Sequence, residues 1–286
     1  MMNRAKYIEE KFFKGIMIIS TSIIIIALFL IIFSVLYKGL PALSWSMVSK
    51  VPEGGFYLGK EGGILNAIIG SIYLSIGATI LAFIISLPVA LFMNVHLVKK
   101  KRTVNTIRFF LDLLWGVPSI VYGAFGFIIM LYFGIKTSLL AGIITVTLFI
   151  IPIMVRAMDE VLKVVPAGLM ESSLSLGATK TETAYKVYVK QCIPGIITAI
   201  LLSFGRAIGD AASVLFTTGY TDSIPTSIFE QTATLPLSIF FQLSSPIAEV
   251  QDRAYASAVV LMFFILVISI LSRVLSRKYH KTKIKF

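Results

Sequence analysis

Arg206 and Asp210 stand in the segment SFGRAIGDAASVLF, with Arg206 about twelve residues into an apolar run that opens at Pro194. An unpaired arginine at the middle of a bilayer costs roughly 2.5 to 3.5 kcal/mol even on the lenient insertion scale, so something has to compensate it. Residues four apart share one face of a helix, which puts Asp210 within pairing reach of Arg206. The pair is then a structural bridge, an anchor to a neighbouring subunit, or the place where a guanidinium meets an anion crossing the membrane. The planar five-donor fork of arginine matches a tetrahedral oxyanion, and Gly205 and Gly209 leave room beside it. Ionisable groups inside a membrane are functional by default, which favours the anion.

A second group of residues lies in the polar stretch from Arg156 to Ile193. Pro166 suits a first helical position, because the amide hydrogen it lacks would be unpaired there anyway. A short helix can follow to Leu176, and Gly177 supplies the left-handed residue that ends it. Thr179 and Glu182 form a T-x-x-E capping box that opens a second helix running toward Pro194. The stretch is either a plain connector or a docking device. At about forty residues it exceeds what adjacent spans need, and long loops with their own secondary structure tend to carry function.

Nothing else in the sequence assembles into a reactive cluster of nucleophile, base and orienting group, so an enzyme is not expected. The one cysteine, Cys192, excludes an intramolecular disulfide and a cysteine-only metal site. His96 and His280 sit beside lysines at the ends of hydrophobic segments and offer no metal constellation. The chain has no G-x-x-x-x-G-K-[ST] phosphate loop, so no cofactor is expected on it and any energy must come from elsewhere.

The elements that must hold these residues are membrane helices. A composition of 57% hydrophobic and 14% charged residues, with a mean hydropathy of +0.91, belongs in lipid. At roughly 20 apolar residues per crossing, six spans are predicted: Gly15 to Leu36, Ile64 to Val95, Phe109 to Phe133, Leu139 to Val155, Pro194 to Gly219 and Ala254 to Leu271. The length of the first, with no small-residue cleavage site after it, argues for a retained helix over a signal peptide. Pro88 should kink the second span. In the third, WGVPSIVYGAFG carries Gly116, Pro118, Gly123 and Gly126, which either permit close helix packing or break the helix around a cavity. The loop from Tyr220 to Arg253 holds a semi-apolar stretch expected to form an interfacial or re-entrant helix.

The net charge of +12 would suggest nucleic acid in a soluble protein. Here the basic residues cluster beside the hydrophobic runs. Twenty of the twenty-six Lys and Arg fall on one predicted side, against Lys38, Lys50, Lys60 and Lys136 on the other. That bias predicts both termini in the cytoplasm and no nucleic-acid partner.

The residues Glu171, Ser172, Ser173, Gly177, Ala178 and the Ile193-Pro194 ending resemble the E-A-A-x-x-x-G loop of ABC importer permeases. Two serines replace the alanines, and Ile-Pro stands for the usual Leu-Pro. GRAIGDAA is similar to the GRALGETA signature of phosphate importer permeases, with Asp210 where Glu is usual. With GVPSIVYG (Gly116 to Gly123) and TLPLSI (Thr234 to Ile239), it resembles the PstA type more than the PstC type.

The resemblance covers roughly residues 64–273. It implies an all-α type I ABC permease fold with six transmembrane helices in the plasma (inner) membrane. Residues 1–63 then form an N-terminal span and external loop, 64–273 the permease domain and 274–286 a basic tail. It also implies a second, PstC-type permease, a PstB-type ATPase dimer that uses ATP, and a PstS-type phosphate-binding protein outside. In this family the loop docks into the ATPase, and Arg206 and Asp210 would belong to the substrate pathway. Another oxyanion (sulfate, molybdate or tungstate), or a non-conducting sensor or scaffold, is the alternative.

Overall fold

Segments this apolar must satisfy their own backbone groups, and the computed structural model does so almost wholly with helices. It describes residues 4–53 and 61–280, so Lys60, Lys281, Lys283 and Lys285 of the charge pattern lie outside the described residues. In chain order come α1 (Arg4–Ala42), α2 (Trp45–Ser49) and a short antiparallel hairpin of β1 (Pro52–Glu53) and β2 (Glu61–Gly62), with Pro52 opposite Gly62. Then follow α3 (Leu65–Leu91), α4 (Lys101–Trp115), α5 (Ser119–Phe133), α6 (Leu139–Leu162), α7 (Ala167–Ser175), α8 (Lys180–Glu182), α9 (Val189–Ile208), α10 (Leu235–Leu243) and α11 (Ala248–His280). Turns of π-helix extend α3 over Phe92–His96 and join α8 to α9 over Thr183–Tyr188.

Among the described residues five helices are long and apolar enough to cross a membrane, and the bent pair α4 and α5 makes a sixth crossing if counted as one. The six expected spans are present in that sense. The centre of the bundle is α6, which α3 follows along most of its length and α9 flanks. Fully buried Ala78, Ala82 and Ala90 let the α3 backbone come close to α6, where Val146, Ile150, Met154 and Met158 are fully buried in turn. Small residues are what bring helices together in lipid, where apolar surface alone gives little driving force. On the outside, α1 lies against α11. A side chain at Gly39 would run into Val259 and the Tyr255 carbonyl, and the rest of α1 leaves its Ile, Leu and Phe side chains outward, as a lipid-facing helix should.

The third predicted span is not one straight helix. It bends by 92° between α4 and α5, where Gly116 caps α4 and Pro118 opens α5. Proline disfavours helical geometry in its predecessor, and with Gly116 just before it the break falls at this point. Farther along, Gly123 packs against the Ala212 and Ser213 carbonyls, 2.8 and 2.9 Å from where a Cβ would stand, and Gly126 packs against Thr145. The segment therefore breaks at Gly116 and Pro118 and packs closely at the later glycines. Pro88 sits inside α3 one turn before the π-helical turn.

The fifth predicted span also needs correction. Its helix starts well before Pro194, running from Lys180 to Ile208 with Pro194 inside it, and stops eleven residues short of Gly219. The chain from Asp210 to Ala233 is irregular; Asp210, Ser213, Val214, Thr217, Thr218, Thr232 and Ala233 are buried, while residues 226–231 are exposed. Non-helical backbone at such depth is tolerated only when its polar groups are met from within. Here Ser138 donates its amide to the Thr217 carbonyl, Leu139 to Glu230, Leu140 to Ile228 and Thr232 to Thr218. The semi-apolar stretch forms α10, with Leu235 and Leu237 fully buried and the Ser71 hydroxyl accepting the Leu235 amide at 2.8 Å. It is a short buried helix held between α3 and α11, not a helix lying on the surface.

Candidate functional site

Arg206 occupies the last turn of α9 and is exposed on the isolated chain. It opens onto a cleft of about 730 Å³ between α9 and α11, with Thr198, Leu202 and Gly205 on one wall and Ile265, Ile268 and Ser269 on the other. The guanidinium lies 5.0 Å from the centre of the Phe149 ring, and Phe149 is about midway along α6. A cation over an aromatic face gains about 0.5 to 2 kcal/mol, so the ring offsets part of the cost of holding the charge at that depth.

The expected pair with Asp210 is not formed. Among the described residues no ion pair joins them; the Asp210 carboxylate is buried and accepts the Ser213 amide at 2.8 Å. The reason is the end of the helix. Gly209 caps α9, so Asp210 leaves the helical face on which the i, i+4 argument depends, and it caps the turns that follow. Among the described residues Arg206 thus has no carboxylate within 4.0 Å. At Gly205 and Gly209 a Cβ would make only ordinary van der Waals contact with α11, 3.9 Å from Ile268 and 3.8 Å from Ile265.

The structure brings two of the sequence motifs together. Phe149 meets Tyr122 edge-on at 5.6 Å, and Tyr122 donates its hydroxyl to the Leu114 carbonyl at 2.9 Å, just before the α4 and α5 bend. Gly123 beside it packs on the chain that follows Asp210. The bend, α6 and the arginine therefore form one packed unit.

The long polar loop has the expected build. Pro166 stands at the N-cap of α7, and Gly177 is left-handed with φ +84°. Thr179 accepts the Glu182 amide while Glu182 accepts the Thr179 amide. That backbone bond first, and then Lys186, hold the Glu182 carboxyl down at about 2. Ser173 shares a hydrogen bond of 2.9 Å with Thr183, folding α7 back on the second helix. Glu171, Ser172 and Gly177 face outward and Ala178 is half-buried. At the tip, Leu176 is an apolar side chain left 89% exposed at the turn. Sequence reasoning passed it over, because one leucine after an amphipathic turn carries no pattern.

Sequence reasoning also missed an ionic cluster on α6. Asp159, fully buried, receives Arg108 through Nε and Nη2 at 2.9 Å each, Asn94 at 2.9 Å and Arg156 at 2.8 Å. Arg156 also reaches Asp112 on α4 at 2.6 Å. The cluster pins α4 and the end of α3 to α6 just before the loop. Its one legible signal was Arg156 and Asp159 three apart on a helix. Arg253, 3% exposed on α11, is a further buried charge.

Residues 86–281 match the family described as binding-protein-dependent transport system inner membrane component. Among curated proteins, the phosphate transport system permease protein PstA of Yersinia pestis is 32% identical over 251 residues, 87% of this chain and 83% of its own. The protein of that name from Haemophilus influenzae is 30% identical over 268 residues, 93% of each chain. Among solved structures, an inward-facing form of the MetNI methionine ABC transporter superposes with a TM-score of 0.60 at 20% identity, over 75% of this chain and 95% of that one. An amino acid ABC transporter gives 0.56 at 18% identity, over 75% and 93%. A likeness at that identity is one of fold, and it agrees with the bundle and loop described above; taken with the sequence matches, it places this chain in the family of binding-protein-dependent transport system inner membrane components.

Proposed function

We propose that this chain is the PstA-type permease of an ATP-driven importer of inorganic phosphate, supplying half of the translocation pathway. The observation that carries the substrate is Arg206: a guanidinium open to a cleft at mid-depth, backed by an aromatic ring and without a carboxylate partner among the described residues. In that state its fork is free to receive a tetrahedral oxyanion. The relatives named as phosphate permeases support the same reading.

The family implies an ATPase, a substrate-binding protein and a second permease. The finer assignment is to PstB-, PstS- and PstC-type partners, with ATP bound by the ATPase and the second permease closing the open face at Arg206. The α7 to α8 turn, with Glu171, Ser172, Ser173, Gly177 and Ala178, docks into the ATPase, and the exposed Leu176 is its apolar anchor. The end of the bundle bearing the loop and the basic clusters faces the cytoplasm.

The test is phosphate uptake into vesicles holding the assembled complex, with unlabelled sulfate, molybdate and tungstate as competitors. Phosphate-selective, ATP-dependent accumulation is expected. Preferential competition by another oxyanion would reassign the substrate, and no accumulation at all would favour a sensor or scaffold.

A further inference from the structure

Beside the ionic cluster on α6, at the end of the bundle that carries the long loop, a crevice of about 390 Å³ opens between α4, the end of α6 and the loop. Its polar lining is Lys101, Asn105 and Arg108 from α4, Asn94, Lys163 and Tyr188. No carboxylate is among its lining residues; Lys163 pairs with Glu160 at 2.7 Å and with Asp159 at 3.3 Å, and Asp159 lies behind Arg108, held by two of its nitrogens. The remaining nitrogen, Nη1, has no hydrogen-bond partner among the described residues, and Lys101 makes no ion pair among them. Met93, Leu162 and Met170 give the crevice an apolar floor, and the outer face of α4 continues into exposed Phe109, Phe110 and Leu113.

We propose that this crevice binds a phosphate group, with Lys101, Lys163 and the free edge of Arg108 as its donors. Lys101, the free edge of Arg108, the third ammonium hydrogen of Lys163 and the Asn105 carboxamide make a donor set for a phosphate oxyanion. The group can come from the headgroup of an anionic phospholipid or from free inorganic phosphate. A basic pocket at the membrane surface with an apolar floor and an adjoining apolar helix face suits the lipid. Bound there, the anion ties α4 to Lys163, where the loop begins. The site is separate from Arg206, and its test does not depend on what the permease carries.

The full-length chain, purified in neutral detergent and stripped of lipid, is titrated in one arm with phosphatidylglycerol against phosphatidylcholine and in the other with inorganic phosphate. Binding is followed by native mass spectrometry and by thermal unfolding. Wild type is expected to retain phosphatidylglycerol selectively. Lys101→Ala should weaken it about fivefold, the worth of one cation at such a surface, and the Lys101→Ala, Lys163→Ala double variant should weaken it further. Lys136→Ala, exposed in the turn between α5 and α6, should change nothing. Binding of inorganic phosphate alone, with the same Lys101 dependence, assigns the crevice to the free anion. No binding of either probe, or binding indifferent to Lys101, overturns the proposal.

Discussion

Arg206 and Asp210 are four apart in sequence and do different work in the structure. If Arg206 receives the anion, Arg206→Ala should cut phosphate uptake roughly ten- to a hundredfold, the 1.5 to 3 kcal/mol of a hydrogen bond to a charged group, while the complex still assembles. Arg206→Lys should fall between, since it keeps the charge and loses the fork. Undiminished uptake in both variants removes Arg206 from the pathway. Because the Asp210 carboxylate caps Ser213, Asp210→Asn keeps the acceptor and should transport near the wild-type rate; Asp210→Ala should lose about 1 kcal/mol of stability. A transport defect in Asp210→Asn with normal folding would restore the ion-pair reading. The buried Asp159 carries the heavier structural role. Asp159→Ala leaves Arg108 and Arg156 facing an empty centre and should cost about 3 to 5 kcal/mol, read as a fall in the unfolding midpoint of the purified chain.

Among the elements, the α4 and α5 bend and the α7 to α8 turn are the two that a straight-helix account would lose. Gly123 sits where a Cβ would meet two carbonyls below 3 Å, so Gly123→Ala must push α5 off the chain after Asp210. Uptake should drop sharply, whereas Gly205→Ala, whose Cβ would meet only Ile268 at an ordinary contact distance of 3.9 Å, should lose far less. Comparable uptake in the two variants would mean that the close approach at Gly123 does not matter. At the turn, Gly177→Val forces a branched side chain into a left-handed backbone at roughly 1 to 2 kcal/mol. It should weaken co-purification of the ATPase with the permease while leaving the helices folded. Leu176→Asp should do so without straining the backbone, which separates anchoring from turn geometry.

At the scale of the molecule, orientation is open to direct measurement. Cys192 is the only cysteine and is buried, so a Cys192→Ala background allows single cysteines to be placed at will. Lys180→Cys on the loop should react with impermeant thiol reagents only from the cytoplasmic side, and Thr226→Cys, in the chain before α10, only from outside. The reverse pattern would overturn the orientation.

The sequence by itself determined which segments are apolar enough to cross, the build of the loop and the presence of a costly charge within an apolar run. Each follows from local composition or spacing: hydropathy over about 20 residues, the capping box at Thr179 and Glu182, the glycine that a left-handed turn requires. What only the tertiary structure decided is where helices stop and what buried charges meet. Pro194 reads as a boundary yet lies inside a helix, and Gly209 reads as packing yet ends one, because neighbours and not propensity settle helix ends in a packed bundle. Arg206 therefore rests on Phe149 from another helix, 57 residues back in the chain, and Asp159 gathers partners from α3 and α4. Contacts between residues that distant leave no periodic trace in a single sequence.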